Sequence, residues 1–207
     1  MSSYIMHTVV SNIVKEKLNL TDKFVYGSIL PDILKTKCQD RDKTHYIKEV
    51  RIDGDVRHLP DIDEALKDVD FKDKEINMGY IAHLIEDHIW FNLFIPSYAK
   101  VLGNNKVLFL KDGSIHEENE FSSAMYSDYY NINCYVVDKY DVDIEKVKEG
   151  IYALMDRQEI DIVDKWLNVD CTKDINSNIF LTKESVDTYV DMTVNEVEKI
   201  VLKMLGE

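Results

Sequence analysis

The chain is predicted to fold as a single all-α domain, and three properties of its sequence support that class. Its 207 residues can bury one substantial core, and 45% of them are apolar. It contains only seven glycines and three prolines, too few for a turn-rich β architecture. Apolar residues recur at helical spacing through most of the chain. We therefore expect one multi-helix bundle over residues 1–207, without a linker or an internal repeat.

The first half of the chain is expected to contain several helices and a polar excursion. Residues 4–18 carry their apolar side chains on one helical stripe. Pro31 is expected to open a short helix with Ser28 as its cap. Residues 43–50 are expected to begin another helix, and the acidic stretch 51–75 is expected to wrap over the surface.

The second half is predicted to be helical apart from one small hairpin. A long helix runs from about Glu75 into the nineties, where Pro96 is expected to bend or end it. The D-G turn in "KVLFLKDGSIHEE" predicts a small β-hairpin near 106–116. Helical spacing returns in residues 117–138, 143–156, 159–167 and 182–205.

Charge and cysteine usage limit the class of function. A net charge of −14 makes binding to a nucleic-acid backbone or stable association with an anionic membrane unfavourable, although a metal cluster could reverse the sign locally. The first residues do not have the pattern of a signal peptide. Cys38, Cys134 and Cys171 lie far apart without a CxxC motif, and we expect ordinary buried or half-buried thiols. These observations favour a cytoplasmic protein and leave its oligomeric state open.

The most hydrophobic stretch, "GYIAHLIEDHIWF" at 79–91, carries four polar side chains: His83, Glu86, Asp87 and His88. Burying such groups costs several kcal/mol unless each finds a partner. At 100° per residue, Asp87 lies about 40° from His83, whereas His88 lies about 140° away. An imidazole and a carboxylate that share a face at i and i+4 can bind one divalent metal ion. The alternative is a buried His–Asp hydrogen bond that only orders the core.

Polar residues in apolar surroundings also occur elsewhere, at His7, Asp32, His45 and Asp128. Each alone is more often structural, and Asp32 could be a local helix cap. Together, on separate helices, they are typical of metal sites that bundles build from inward-facing ligands. The sequence contains no nucleotide-binding P-loop, serine-nucleophile, HExxH or ferritin-like motif.

The order of these motifs resembles the bacterial zinc-dependent phospholipase C family. It particularly resembles the short, leaderless cytoplasmic branch found in Firmicutes, and the fungal single-strand nucleases are distantly similar. The motifs are His7, then G-S-I-L-P-D at 27–32, T-H-Y at 44–46, G-Y-I-A-H-L-I-E-D at 79–87, and a D-Y-x-x-x-N stretch from Asp128 to Asn133.

This resemblance covers roughly residues 5–135. It implies an all-α fold of the phospholipase C and zinc nuclease type with a multinuclear zinc site. Carried over by position, the metal ligands would be His7, Asp32, His45, His83 and Asp87. The catalytic residues would be Asp87, as a bridging carboxylate, and Asp32, as a ligand or as the general base that orients the attacking water. Further ligands or supporting residues would be His88, Asp128 and Asn133.

Two features depart from the family pattern. Its secreted members use a processed N-terminal tryptophan as a ligand, whereas this chain has Met1. Their later histidine pair, which holds a third zinc ion, has no clear equivalent here. His116 and Glu120 share the i, i+4 spacing, but they lie in an acidic segment that we expect to be a solvated face. The expectation is therefore two zinc ions with the third open, and iron or manganese would also suit the ligands.

The leading hypothesis is hydrolysis of a small phosphate ester by a metal-activated water, with Trp90, Tyr129 and Tyr130 lining the entrance. One alternative is an HD-type nucleotide phosphohydrolase, which needs adjacent His and Asp; this chain has Asp87 and His88 in the reverse order. The other alternative is a non-enzymatic helical protein whose buried polar groups fix packing or hold a structural metal. The substrate stays open, as does the role of residues 139–207.

Overall fold

The computed structural model describes residues 3–52, 54–171 and 175–206, and it is mostly helical with two small antiparallel sheets. The mostly-α prediction is therefore confirmed. The α-helices in the described residues are α1 (Tyr4–Leu18), α2 (Asp22–Cys38), α3 (Arg41–Thr44), α4 (Ile62–Asp68), α5 (Lys74–Ile89), α6 (Glu118–Lys139), α7 (Ile144–Tyr152), α8 (Arg157–Trp166) and α9 (Lys183–Leu205). The strands are β1 (Ile47–Ile52), β2 (Asp55–Pro60), β3 (Ala99–Gly103), β4 (Lys106–Phe109) and β5 (Ile115–Glu117).

Helices α2 and α5 form the centre of the fold and pack against each other. Residues 24–33 of α2 and 78–87 of α5 are buried without interruption, as expected for helices that are covered on all sides. Helices α1 and α9 pack over this pair. Polar side chains on α2 and α5 therefore lie in the interior. No helix in the described ranges is long and apolar enough to cross a membrane.

Two glycines allow the backbones of α2 and α5 to touch. A Cβ atom on Gly79 would lie 2.1 Å from the carbonyl oxygen of Phe24, and one on Gly27 would lie 2.3 Å from the backbone of α5. No side chain fits at either position because the obstacles are backbone atoms. The contact brings His83, one turn beyond Gly79, within 2.7 Å of the Ser28 carbonyl oxygen, measured from its Nδ1 atom.

Pro31 lies inside α2 rather than at the start of a helix, so that prediction is wrong. Ser28 is also internal, and its hydroxyl donates to the Val25 carbonyl at 2.8 Å instead of capping a helix. A proline inside a helix removes one backbone hydrogen bond and disfavours the conformation. Burial of the whole stretch 24–33 outweighs that local preference here.

The helix start predicted at 43–50 is wrong beyond Thr44, because residues 47–52 and 55–60 pair as the antiparallel strands β1 and β2. Gly54, next to the turn, has φ of 87°, a value that glycine adopts readily. Charged and apolar residues alternate only over residues 49–52 of β1, because Lys48 and Glu49 are both charged. The predicted surface excursion at 51–75 therefore contains β2 and α4.

The other predicted elements are present. The hairpin near 106–116 is confirmed as β4–β5, and β3 adds a third strand to that sheet. Helix α5 ends at Ile89 and continues as a π-helical turn over Trp90–Phe94, followed by a 3₁₀ turn that contains Pro96. The four later helical segments appear as α6 to α9.

The expectation of three free thiols is wrong. Cys134 and Cys171 form a disulfide with Cα atoms 5.1 Å apart, which links α6 to the segment after α8. Their separation of 37 residues leaves no spacing motif in the sequence, so the pairing depends on tertiary packing that the sequence pattern does not show. Cys38 is free and exposed rather than buried.

We expect Gly79→Ala to destabilise the fold by at least about 1–3 kcal/mol, because a methyl group must push α2 and α5 apart. This corresponds to a decrease in Tm of several degrees, which thermal unfolding followed by circular dichroism would detect. Gly150→Ala is the matched control, since its nearest obstacle is the Asp22 side chain, which can rotate away. Its Tm should be unchanged or slightly higher. Equal Tm values for Gly79→Ala and the wild type would contradict a tight helix contact.

Candidate metal centre

The five side chains predicted to be metal ligands lie together in the interior. Each is at most 1% exposed. They come from α1, α2, the residue after α3, and α5, in the order His7, Asp32, His45, His83 and Asp87. Their ligand atoms form two groups, His7–His83–Asp87 and Asp32–His45–His83, in each of which all atoms lie within 4.8 Å of one another. The two groups share His83, so they are adjacent.

Neighbouring hydrogen bonds orient the two histidines at the centre. The Nδ1 atom of His83 donates to the Ser28 carbonyl oxygen at 2.7 Å. The Thr44 hydroxyl donates to the Asp40 carbonyl oxygen at 3.0 Å, so it can accept from Nδ1 of His45 at 2.9 Å. Both rings then direct the lone pair of Nε2 inward, and these two Nε2 atoms are 3.2 Å apart. Two lone pairs at that distance repel unless a proton or a metal ion lies between them.

The carboxylates of the cluster also fit a bound cation. Among the described residues, both oxygens of Asp87 and Oδ2 of Asp32 are buried without a hydrogen-bond partner. The nearest ring nitrogens are Nε2 of His45, 3.4 Å from Asp32 Oδ1, and Nε2 of His7, 3.7 Å from Asp87 Oδ1. Buried carboxylate oxygens without partners are costly. A divalent ion would satisfy them, and mixed imidazole and carboxylate ligation suits zinc.

Burial determines the ionisation of the cluster. Burial lowers the pKa of His7 and of His83, so both imidazoles are neutral at neutral pH, the form that binds metal. Burial alone would raise the pKa of Asp32, but its contact with His45 and nearby positive charge lower it. Burial would raise the pKa of Asp87, but its electrostatic interactions with neighbouring groups lower it. Both aspartates therefore stay ionised although they are buried.

Glu86 belongs to the same cluster, although sequence reasoning assigned it no role. Its side chain is 0% exposed, and Oε2 lies 3.0 Å from Nδ1 of His7. Burial, and then the charge of Asp87, raise the pKa of Glu86 well above its usual value. The two groups are in contact without the geometry of a hydrogen bond. A hydrogen bond from this carboxyl group to the far nitrogen of a metal-bound His7 would fix the orientation of the ring. The signal in the sequence was a glutamate in a nearly continuous apolar run.

Two of the predicted supporting residues make contacts outside the cluster. Nδ1 of His88 lies 3.4 Å from the Pro60 carbonyl oxygen, on the side of α5 that faces β2. The Asp128 carboxylate accepts hydrogen bonds from the backbone N–H groups of Ile179, Phe180 and Leu181 at 2.7–3.0 Å. These contacts correct the expectation that His88 and Asp128 are ligands or supporting residues of the cluster. The hydrogen bonds of Asp128 instead fasten the segment before α9 to α6.

Asn133 supports the cluster only through the position of α1. Its Oδ1 atom accepts from the Ser3 hydroxyl at 3.1 Å, and Ser3 caps α1 by accepting from the Met6 N–H. The side chain therefore holds the first turn of the helix that carries His7, but the described structure gives it no direct contact with the predicted ligands.

His116 and Glu120 form the solvated pair that was expected. Nδ1 of His116 lies 3.3 Å from Oε2 of Glu120, and the two side chains are 35% and 59% exposed. The His116 ring stacks on Phe109 with centroids 4.0 Å apart. This pair lies where β5 meets α6 and does not add ligands to the buried cluster.

A cleft of about 840 Å³ opens beside the cluster. Its lining includes Lys35 and Arg41, whose charged groups lie 3.5 Å from Asp32 Oδ1 and 3.9 Å from Asp87 Oδ2. None of the five proposed ligands lines the cleft, so Lys35 and Arg41 connect it to the two carboxylates. A small ligand in the cleft could approach the candidate metal centre beside these two cations.

Aromatic side chains form part of the cleft wall. Trp90 and Tyr129, two of the three residues expected at the entrance, line it together with Tyr126. Trp90 is 1% exposed and Tyr129 is 8% exposed, whereas Tyr126 is 56% exposed. Tyr130 is 64% exposed and lies on the outer surface of α6. Trp90 and Tyr129 are thus held by packing, while the more exposed Tyr126 ring lies edge-on to Tyr129 with centroids 5.8 Å apart.

Comparisons with known proteins add no assignment: no protein-family model, curated protein or solved structure matches this chain. The resemblance to the zinc-dependent phospholipase C family therefore depends on the order of its motifs. The geometry of the cluster is independent of that resemblance.

We expect Glu86→Leu to weaken zinc binding by about 10–100-fold, because it removes the carboxyl group that orients His7. Competition with a chromophoric chelator would measure the affinity. Glu86→Gln can still accept a hydrogen bond through its amide oxygen, so its loss should be smaller. Unfolding of the metal-free protein is the control: Glu86→Leu removes a buried carboxyl group and should be at least as stable as wild type. Unchanged zinc affinity in Glu86→Leu would rule out an orienting role.

Proposed function

We propose that this protein is a metal-dependent phosphoesterase that hydrolyses a small phosphate ester at a two-ion, zinc-type centre. The observation that carries the proposal is the position of two adjacent His/Asp groups next to Lys35 and Arg41, which line a cleft. Metal ions and cations together suit a phosphoryl group. The motif order, which resembles the zinc-dependent phospholipase C family, favours the same reaction class and the fold type of that family.

In this proposal the ions are held by His7, Asp32, His45, His83 and Asp87. His83 can bind only one ion, because its Nδ1 proton is directed at the Ser28 carbonyl oxygen and only Nε2 has a lone pair. A ligand shared by two ions must therefore be a carboxylate. We assign this role to Asp87, since both of its oxygens lack a hydrogen bond within the described structure.

Metal ions at such a centre act as Lewis acids and lower the pKa of bound water to about 7. Asp32 is proposed as a ligand or as the residue that orients the attacking water. Because the pKa of Asp32 is lowered, its carboxylate is a weak base at neutral pH and is better suited to orienting water than to removing a proton. Lys35, 3.5 Å from Asp32 Oδ1, helps to keep that carboxylate ionised.

Zinc is the proposed metal, and iron or manganese would also be accepted by this ligand set. We propose that the two adjacent groups hold two ions, with the shared His83 bound to only one of them. A third ion is not part of the proposal, because His116 and Glu120, the one pair with suitable spacing, lie on the surface.

The proposed partner is a small phosphate-ester substrate. With a net charge of −14, the protein as a whole repels nucleic-acid backbones and anionic membranes. The proposed location is the cytoplasm. The Cys134–Cys171 disulfide opposes that location, because disulfides persist mainly in oxidising compartments.

A structural metal is the second candidate function, and one observation favours it. All five proposed ligands are at most 1% exposed, and structural metal sites are closed whereas catalytic sites keep an open position. The HD-type phosphohydrolase is disfavoured, because His88 points to Pro60 and not to the carboxylate of Asp87. Turnover is therefore the measurement that separates a catalytic centre from a structural one.

We expect protein purified without added metal to contain about two ions per chain and to hydrolyse p-nitrophenyl phosphate or its bis ester. Chelation should abolish turnover, and added zinc should restore it, because the metal activates the water. Metal analysis and release of p-nitrophenolate measure the two properties. Turnover that persists after verified metal removal would point to another mechanism. Two bound ions without turnover of either ester would favour the structural metal.

Asp87→Asn should lose metal and activity, because an amide is a weaker ligand and lacks the negative charge that holds two dications. His88→Gln is the matched control on the next residue, and it should retain the metal and most of the activity, since His88 faces Pro60. Bound metal, turnover and far-ultraviolet circular dichroism should be measured for both variants. Metal loss in His88→Gln together with metal retention in Asp87→Asn would contradict the assignment of this helix face.

A further inference from the structure

Two cations lie between the buried cluster and the cleft. Lys35 is one turn beyond Asp32 on α2, and Arg41 opens the short helix α3 that ends before His45. Their side chains are 25% and 32% exposed, and both line the cleft. They are therefore the charged groups that a ligand in the cleft would meet next to the cluster.

Neither cation is held tightly by its carboxylate. The Lys35 Nζ to Asp32 Oδ1 distance is 3.5 Å, and the Arg41 Nη2 to Asp87 Oδ2 distance is 3.9 Å. These distances are longer than those of charge-assisted hydrogen bonds, which are about 2.7–2.9 Å. The Arg41 guanidinium also lies over the ring of Phe91, 5.3 Å from its centroid, which fixes its plane without using its N–H donors. Those donors can therefore reach a ligand in the cleft.

Without metal, the carboxylates of Asp32 and Asp87 face the cationic groups of Lys35 and Arg41 at 3.5 and 3.9 Å. Dications bound to the two carboxylates would replace the cations as their partners, because a metal ion binds carboxylate oxygens directly at about 2.0–2.2 Å. The centre would then carry an excess of positive charge in a low-dielectric site, which favours binding of an anion.

We propose that Lys35 and Arg41 form an oxyanion-binding subsite, which metal loading creates by releasing them from Asp32 and Asp87. Its ligand class is a phosphoryl group or a free phosphate, held by Arg41 through paired N–H donors and by Lys35 as a point charge. The inference rests on the proposed metal centre and deepens the proposed function by naming the residues that hold the phosphoryl oxygens.

Two other cations of the cleft have partners outside the cluster. Arg57 donates to the backbone carbonyl and to the side-chain oxygen of Asn92 at 2.6 and 2.8 Å, so it fastens β2 to the π-helical turn. Lys100 lies on β3 and pairs with Asp55 at 3.9 Å. Lys100 is thus a cleft cation with the same charge as Lys35 but with a partner outside the cluster, which makes it a matched control.

The test is the binding of inorganic phosphate to the full chain, by isothermal titration calorimetry, in zinc-loaded and metal-free forms. Zinc-loaded wild type should bind phosphate, and the metal-free form should bind at least tenfold more weakly. Arg41→Gln and Lys35→Gln should each weaken binding to the loaded protein by roughly 10–100-fold. Arg41→Lys should recover part of the affinity, and Lys100→Gln should stay within about twofold of wild type.

Zinc affinity, measured in parallel, separates this role from a structural one. Arg41→Gln removes a competitor for Asp87, so its zinc affinity should be unchanged or higher while its phosphate affinity falls. A loss of both affinities, or equal phosphate losses in Arg41→Gln and Lys100→Gln, would overturn the subsite. Phosphate binding that depends on Arg41 without ester turnover would support the subsite and reject the phosphoesterase. Turnover with phosphate binding unchanged in Arg41→Gln and Lys35→Gln would reject the subsite alone.

Discussion

The backbone contact between α2 and α5 is the constraint on which the rest of the structure depends. Gly27 and Gly79 bring the two helices together so closely that a Cβ atom at either position would collide with backbone. At that distance the Ser28 carbonyl accepts from Nδ1 of His83, which turns Nε2 toward His45. Asp32, four residues beyond Ser28, then lies on the same side. Helix packing therefore fixes both the place of the ligands and the nitrogen that can bind metal.

The same packing creates an electrostatic cost that a simple core would avoid. Asp32, Glu86 and Asp87 are at most 1% exposed, and buried carboxyl groups without full hydrogen bonding oppose folding. The fold limits that cost in two ways. The pKa of Glu86 is raised, so its carboxyl group favours the neutral form. The pKa values of Asp32 and Asp87 are lowered, so both stay ionised. If a metal binds here, its binding energy also stabilises the fold.

Local geometry was predictable from the sequence, and long-range pairing was not. The shared face of His83 and Asp87 follows from helical rotation alone, because all the information lies within one turn. The strand pair 47–52 and 55–60 was missed because its many charged side chains resemble a surface loop. The Cys134–Cys171 disulfide was missed because it depends on tertiary packing. The Asp128 prediction failed for a similar reason: an aspartate among aromatic residues can serve a metal or three backbone N–H groups, and only tertiary contacts distinguish them.

A protein with a net charge of −14 can bind a phosphate group in the cleft only if positive charge is concentrated there. Lys35 and Arg41 provide this local positive charge beside the two carboxylates that would bind a metal. Repulsion from the rest of the surface then excludes large polyanions. A small anion within a few ångströms of Lys35 and Arg41 interacts mainly with these two cations, because charges beyond about 8–10 Å are screened at ordinary salt. Substrate size, and not phosphate chemistry alone, becomes the basis of selection by such a site.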